Sequence, residues 1–258
     1  MKRLIIYLGL KVNAFFLQIG DITLFTGQIF GRIFRGSIHT RNTLEQATLL
    51  GINSLPIVLV TALFVGMAFA VQLVKEFLKF GAAKMIGGVL ALALWRELAP
   101  MLIGVVIAGR IGAAISAELG TMKVTEQIEA IESMGQDPIH YLVVPRVIAV
   151  TCLMPLLVGM ADIVGFLGGF MVAVASGRVN PYAYFASAQD MLVVGDVLGG
   201  LIKALFFGLM TAVIATYMGL HATAGAKGVG EVTIRAVVAS LIAVFVLNYF
   251  LSMALFLG

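Results

Sequence analysis

A chain of 258 residues that is 61% hydrophobic and 12% charged, with a mean hydropathy of +1.07, has too much apolar surface and too little charge for a water-soluble domain. It reads as an all-α integral membrane protein, because the apolar runs are continuous over about 20 residues or more and not the short alternating segments of a barrel. The net charge of +4 reflects orientation in the bilayer and calls for no nucleic acid, and the single cysteine, Cys152, excludes an internal disulfide.

Residues 1–45 carry six of the seventeen basic residues, Lys2, Arg3, Lys11, Arg32, Arg35 and Arg41. Phe15, Phe16, Ile19, Ile22, Phe25, Ile29, Phe30 and Ile33 recur at helical spacing among them, which predicts an amphipathic helix lying in the membrane interface. The alternative is a short span through 12–31, disfavoured by Asn13, Gln18 and Asp21. The start is too soon interrupted by Lys11 for a secretory signal, so the N-terminus is expected to stay in the cytoplasm.

Residues 46–258 form the transmembrane domain, with five spans expected at 46–74, 85–117, 143–176, 197–220 and 236–256. The third carries Asp162 and the fourth Lys203, which are either partners or cavity-facing groups. With the N-terminus inside, Arg110, Lys123, Arg146, Lys227 and Arg235 join the six N-terminal charges on the cytoplasmic side, and only Lys75, Lys79, Lys84 and Arg178 fall on the other. Eleven against four satisfies the positive-inside rule.

The stretch from Trp95 to Pro138 is where strongly apolar sequence and dense charge are fused without a linker. Arg96 and Glu97, four and three residues before Pro100, are either a buried pair that pins a kinked helix or a polar contact for a bound amphiphile. Ala108, Gly112, Ser116 and Gly120 make a stripe of small residues that suits either packing within the chain or a seam between two copies. Beyond it, Glu126, Glu129 and Glu132 fall on one side of a helix and Ile128, Ile131 and Met134 on the other. This predicts an amphipathic cytoplasmic helix that receives a push from a soluble protein, since acidic groups are repelled by the anionic inner leaflet. No Gly-Lys dipeptide and hence no P-loop is present, and His39, His140 and His221 lack metal-ligand spacing. No enzyme, cofactor or metal is expected.

The run ELGTMKVTEQIEAIESMGQDP, preceded by WRELAP and AGRIGAAISA, resembles the MlaE/YrbE family of permease subunits of ABC-type lipid transport systems. The resemblance extends over nearly the whole chain, including FVGMAFAVQ and the late GVGEVTIRAVV. It implies a homodimer working with two copies of a separate ATPase and with an MCE-domain protein, moving phospholipid in a bacterial inner membrane or a plastid envelope, and the lack of a transit-peptide pattern favours the bacterial membrane. It further implies a coupling helix from Glu118 to Asp137, with Lys123, Glu126, Gln127, Glu129 and Glu132 at the ATPase. Arg96 and Glu97 would border the lipid cavity, with Phe69, Gln72, Phe77 and Phe80 as its lining by position and general character. A secondary transporter or channel for small amphiphiles is the alternative; it would be expected to show inverted repeats and paired broken helices.

Overall fold

The computed structural model describes residues 2–36, 40–176, 179–223 and 225–256. His39 and Arg178, and the side chains of Lys2, Arg3, Lys11, Phe15 and Arg35, lie outside the described residues. Helices follow one another as α1 (Lys2–Arg35), α2 (Thr40–Lys79), α3 (Ala83–Val124), α4 (Gln127–Ser133), α5 (Ile139–Ala175), α6 (Pro181–Met191), α7 (Val194–Leu220) and α8 (Gly225–Phe256), with no strand among the described residues. Five of them, α2, α3, α5, α7 and α8, are long and apolar enough to cross a bilayer. The expected spans are all there, but the helices run past them: α2 starts at Thr40 and α8 at Gly225. A hydropathy window marks the part of a helix that suits hydrocarbon, whereas the hydrogen-bonded ladder continues until a residue breaks it.

The connection expected at 178–196 contains an unforeseen helix, α6. Its signals are local: the Asn180 side chain accepts from the backbone N–H of Tyr182 at 2.8 Å, and Pro181 occupies the first helical position. Tyr184 of α6 is fully buried, and its hydroxyl donates to the carbonyl of Phe166 at 3.0 Å.

The largest interface joins α2 to α5. Gly51, Ser54, Val58, Ala62, Gly66, Ala70 and Val74 form the buried ridge of α2. A Cβ at Gly66 would collide with the Gly165 carbonyl, and one at Gly168 would come 2.7 Å from the Leu63 carbonyl. Backbones approach this closely only where a residue without a side chain stands at the contact, as on both sides at Gly66 and Gly165. The stripe on α3 is likewise used inside the chain. Ala108 and Ser116 are fully buried, Gly112 faces the Thr211 methyl with 3.3 Å for an added Cβ, and Gly120 faces Ala222 and Val229 at 3.4 Å. It is therefore not a free seam for a second copy. The exposed apolar faces lie elsewhere, as on α8, where Ile234, Val238, Ile242, Phe245 and Tyr249 point outward at helical spacing.

α1 is one helix of 34 residues, not among the five spanning candidates, and docks through Phe25 and Ile29. The Phe25 ring meets Tyr217 of α7 edge-on at 5.6 Å, and Arg32 pairs with Asp137 at the start of α5. Burial raises the Asp137 carboxyl, but the hydrogen bond and charge of Arg32 outweigh it, and its pKa falls below the ordinary value. A depressed carboxylate contributes stability above its unfolded pKa of about 4 and loses it as pH falls through the folded value. The α1 latch is thus expected to hold from pH 8 down to 5. Asp137→Asn should weaken it by up to about 1 kcal/mol, read as faster hydrogen exchange over residues 24–34. Equal exchange in variant and parent would assign the docking to the apolar contacts alone.

Candidate functional site

Pro100 organises the middle of α3. Having no N–H, it leaves two carbonyls without their helical donor, Arg96 four residues back and Trp95 five residues back. The helix widens to π geometry over Leu94–Leu98, and the N–H of Ala99 bonds back to the Leu94 carbonyl. Both free carbonyls then meet α7. Trp95 O lies against Gly200, where any Cβ would collide with it, and Arg96 O accepts from Lys203 Nζ at 2.8 Å.

Lys203 is fully buried, a position an ammonium ion holds only when every N–H has an acceptor. Besides the Arg96 carbonyl it donates to Glu97 Oε1 at 2.7 Å and Ser252 Oγ at 2.6 Å. The Ser252 hydroxyl lies 2.7 Å from Glu97 Oε1, and Asn248 Nδ2 donates to Glu97 Oε2 at 2.9 Å. Asn248 and Ser252 are one turn apart on α8, so one face of that helix completes the carboxylate's hydrogen bonds.

Arg96 and Glu97 are neighbours but not partners. Arg96 bonds to Asp196 Oδ1 at 2.7 Å, and Asp196 Oδ2 accepts from the Val193 N–H that opens α7. This corrects the expectation of an Arg96–Glu97 pair: in a helix adjacent side chains point about 100° apart, so each finds its partner on α7. Nor are Asp162 and Lys203 partners. Asp162 is buried with Oδ1 lacking a hydrogen bond. Around Arg96 and Glu97 the exposure stays near 40% of each side chain, against 7% for Asp196 and 0% for Lys203. The cluster therefore presents one guanidinium and one carboxylate, backed by buried counter-charges.

Of the expected lining, Phe69 and Phe77 are half-buried against a second apolar cluster that includes Leu90 and Tyr184, whereas Gln72 and Phe80 face outward. Within one chain these four are not gathered around Arg96. Asp196, Asn248 and Ser252 were missed by the sequence reading. Asp196 had been placed in a connection, and the other two are weak polar signals in an apolar run.

At the other end of α3, the expected single helix is two pieces. Glu126 has φ 58, a left-handed residue that ends α3, and α4 is only seven residues before Gly135 at φ 77. Ile128 is buried and Ile131 half-buried, but Met134 is 72% exposed. Four of the expected coupling residues are held in internal ion pairs: Glu118 by buried Arg146 at 2.7 Å, Glu129 and Lys123 by each other, and Asp137 by Arg32. The hydrogen bond from Lys123 holds the exposed Glu129 carboxyl below its ordinary pKa. Glu126, Gln127 and Glu132 are exposed with no ion-pair partner among the described residues. They are open acidic and amide groups on this surface.

The sequence profile described as Permease MlaE matches residues 43–254. The chain is 49% identical over 247 residues to a probable ABC transporter permease protein of Synechocystis, covering 96% of this chain and 91% of that one. It is 43% identical over 238 residues to the Arabidopsis thaliana chloroplast protein TRIGALACTOSYLDIACYLGLYCEROL 1, covering 92% of this chain and 68% of the relative. A probable ABC transporter permease protein of Rickettsia typhi is 40% identical over 248 residues, 96% of each chain. A bundle of five membrane-spanning helices whose second span carries a buried ion cluster at its proline, matched by this profile over most of its length, belongs to the MlaE permease family.

Proposed function

We propose that the chain is the transmembrane subunit of an ATP-binding-cassette phospholipid transporter, working as a homodimer with two ATPase copies and an MCE-type partner in a bacterial inner membrane. The observation that carries this reading is the Arg96–Glu97 cluster. A cation and a carboxylate stay part-exposed in an otherwise apolar span, fixed from behind by Asp196 and Lys203. Intramembrane charges are costly and tend to mark substrate contacts, and a zwitterionic or anionic headgroup suits this pair. Arg96 contacts the headgroup phosphate. Gln72 and Phe80 are exposed within one chain, and Phe69 and Phe77 belong to the apolar wall beside them. The names of the relatives support the class: two are probable ABC transporter permeases, and the Arabidopsis relative has a lipid, trigalactosyldiacylglycerol, in its name.

The outward apolar face of α8 supports a second copy, because a row of large apolar side chains at helical spacing stays uncovered within one chain. The surface around α4 receives the ATPase, with Glu126, Gln127 and Glu132 as its open groups and Glu118, Lys123, Glu129 and Asp137 holding its shape. On the same side lie α1, in the interface, and the cytoplasmic N-terminus.

The test is reconstitution with the ATPase and measurement of ATP-dependent lipid movement. Glu126→Lys with Glu132→Lys should abolish stimulated lipid movement and ATPase co-purification by at least about tenfold, because like charge set against a basic groove costs several kcal/mol. These two positions are chosen because their reversal leaves the Lys123–Glu129 and Arg146–Glu118 pairs intact. Unchanged co-purification and transport would exclude this surface as the coupling site.

A further inference from the structure

The cation cluster has one contact that neither the fold nor the ion pairing requires. Phe256, in the last turn of α8, lays its ring over both cations, with Arg96 Cζ 5.1 Å and Lys203 Nζ 4.9 Å from the ring centre. Room for it is made by Gly199 on α7, where an added Cβ would come 2.7 Å from the ring. Every larger residue at 199 would push the ring off the cations. The two cations are not equal. Lys203 uses its three N–H groups on Glu97, Ser252 and the Arg96 carbonyl, so it contributes charge and no further hydrogen bond. Arg96 gives Nε and one terminal nitrogen to Asp196 and keeps the rest of its fork, with about 40% of the side chain exposed. A guanidinium with N–H groups to spare, beside a buried ammonium, is a strong place for a phosphate oxygen. The face of a phenyl ring is a weak substitute for that anion.

We propose that the Phe256 ring occupies the subsite of an anionic lipid phosphate on Arg96 and Lys203, so that the last described turn of α8 is a retractable plug and Phe256 a residue that sets the affinity for the headgroup. This rests on Arg96 being the headgroup contact. A strongly charged phosphate displaces the ring because its charge-assisted hydrogen bonds exceed the ring's quadrupole attraction, whereas a weakly interacting amphiphile does not. The plug thereby lowers the affinity of every headgroup that must displace it, leaves the preference among headgroups to the spare N–H groups of Arg96, and shields the cations when no lipid is bound.

The experiment uses the chain purified in detergent with the subunits that accompany it, titrated separately with short-chain phosphatidylglycerol, short-chain phosphatidylcholine and inorganic phosphate. Phe256→Leu keeps apolar bulk but removes the aromatic face. It should tighten phosphatidylglycerol binding about five- to tenfold, the scale of one to two cation–π contacts, and tighten phosphatidylcholine binding by no more than the same factor. Phe256→Trp, with the stronger aromatic face, should weaken the same binding, so a folding loss in one variant leaves the other decisive. Arg96→Gln should remove lipid binding whatever stands at position 256. If Phe256→Leu binds no tighter than the parent while Arg96→Gln still abolishes binding, the plug is wrong and the headgroup contact stands. Retained binding in Arg96→Gln overturns the headgroup contact itself. Inorganic phosphate competing as strongly as phosphatidylglycerol overturns the assignment to lipid.

Discussion

Gly66→Ala is expected to destabilise the protein by about 3 kcal/mol, at the upper end for overpacking, and Gly66→Val to prevent its accumulation in the membrane. The new Cβ would overlap the Gly165 carbonyl, and both colliding groups belong to backbones of long helices. A flexible side chain could swing aside; here α2 and α5 must separate along their length, losing the close contacts that replace the hydrophobic effect between helices in lipid. Gly27→Ala on α1 is the control, because nothing lies within 4 Å of its added Cβ and alanine is the better helix former. Thermal unfolding in detergent and membrane yield measure both. Equal melting of Gly66→Ala and Gly27→Ala would show that the α2–α5 contact is looser than described.

Lys203→Met should cost about 3 kcal/mol. Removing one partner of a buried ion pair is worth about 3–5 kcal/mol, and the low end applies because Glu97 keeps 41% exposure and can take up water. The substitution also strips the Arg96 carbonyl of the donor that compensates for Pro100. Adding Glu97→Gln should recover roughly half of the loss, since a neutral amide can still bond Asn248 and Ser252 while the carbonyl stays unpaired. The double-mutant cycle should therefore show an interaction of at least about 1 kcal/mol. Strictly additive losses would mean that Lys203 and Glu97 are stabilised independently and that the cluster is not one network.

The two variants probe features of very different legibility. Gly66 is a lone glycine in an apolar run, where the sequence marks a span but not which neighbour comes close. Lys203 is visible in sequence as a charge at membrane depth, and its functional weight follows from that. Its partner could not be read, because Glu97 lies 106 residues away and the choice between Glu97 and Asp162 depends on how α3, α5 and α7 are rotated. The sequence reading favoured adjacent residues, and the backbone geometry of a helix sends adjacent side chains apart.

By itself the sequence determined that the chain is helical, that it crosses the membrane five times, and that charge concentrates around residues 95–138. These follow from composition, from run length matched to bilayer thickness, and from the energetic penalty on intramembrane charge, all of which are local. Tertiary structure alone decided that Arg96 turns to Asp196 and Glu97 to Lys203, and that Asn248 and Ser252 of the last span complete the carboxylate. It also decided that the small-residue stripe of α3 is closed within the chain, and that Glu118, Glu129 and Asp137 are held in ion pairs while Glu126 and Glu132 stay open. The reason is the same in each case: a helix's periodicity fixes which residues share a face, but only packing against the other helices fixes what that face meets.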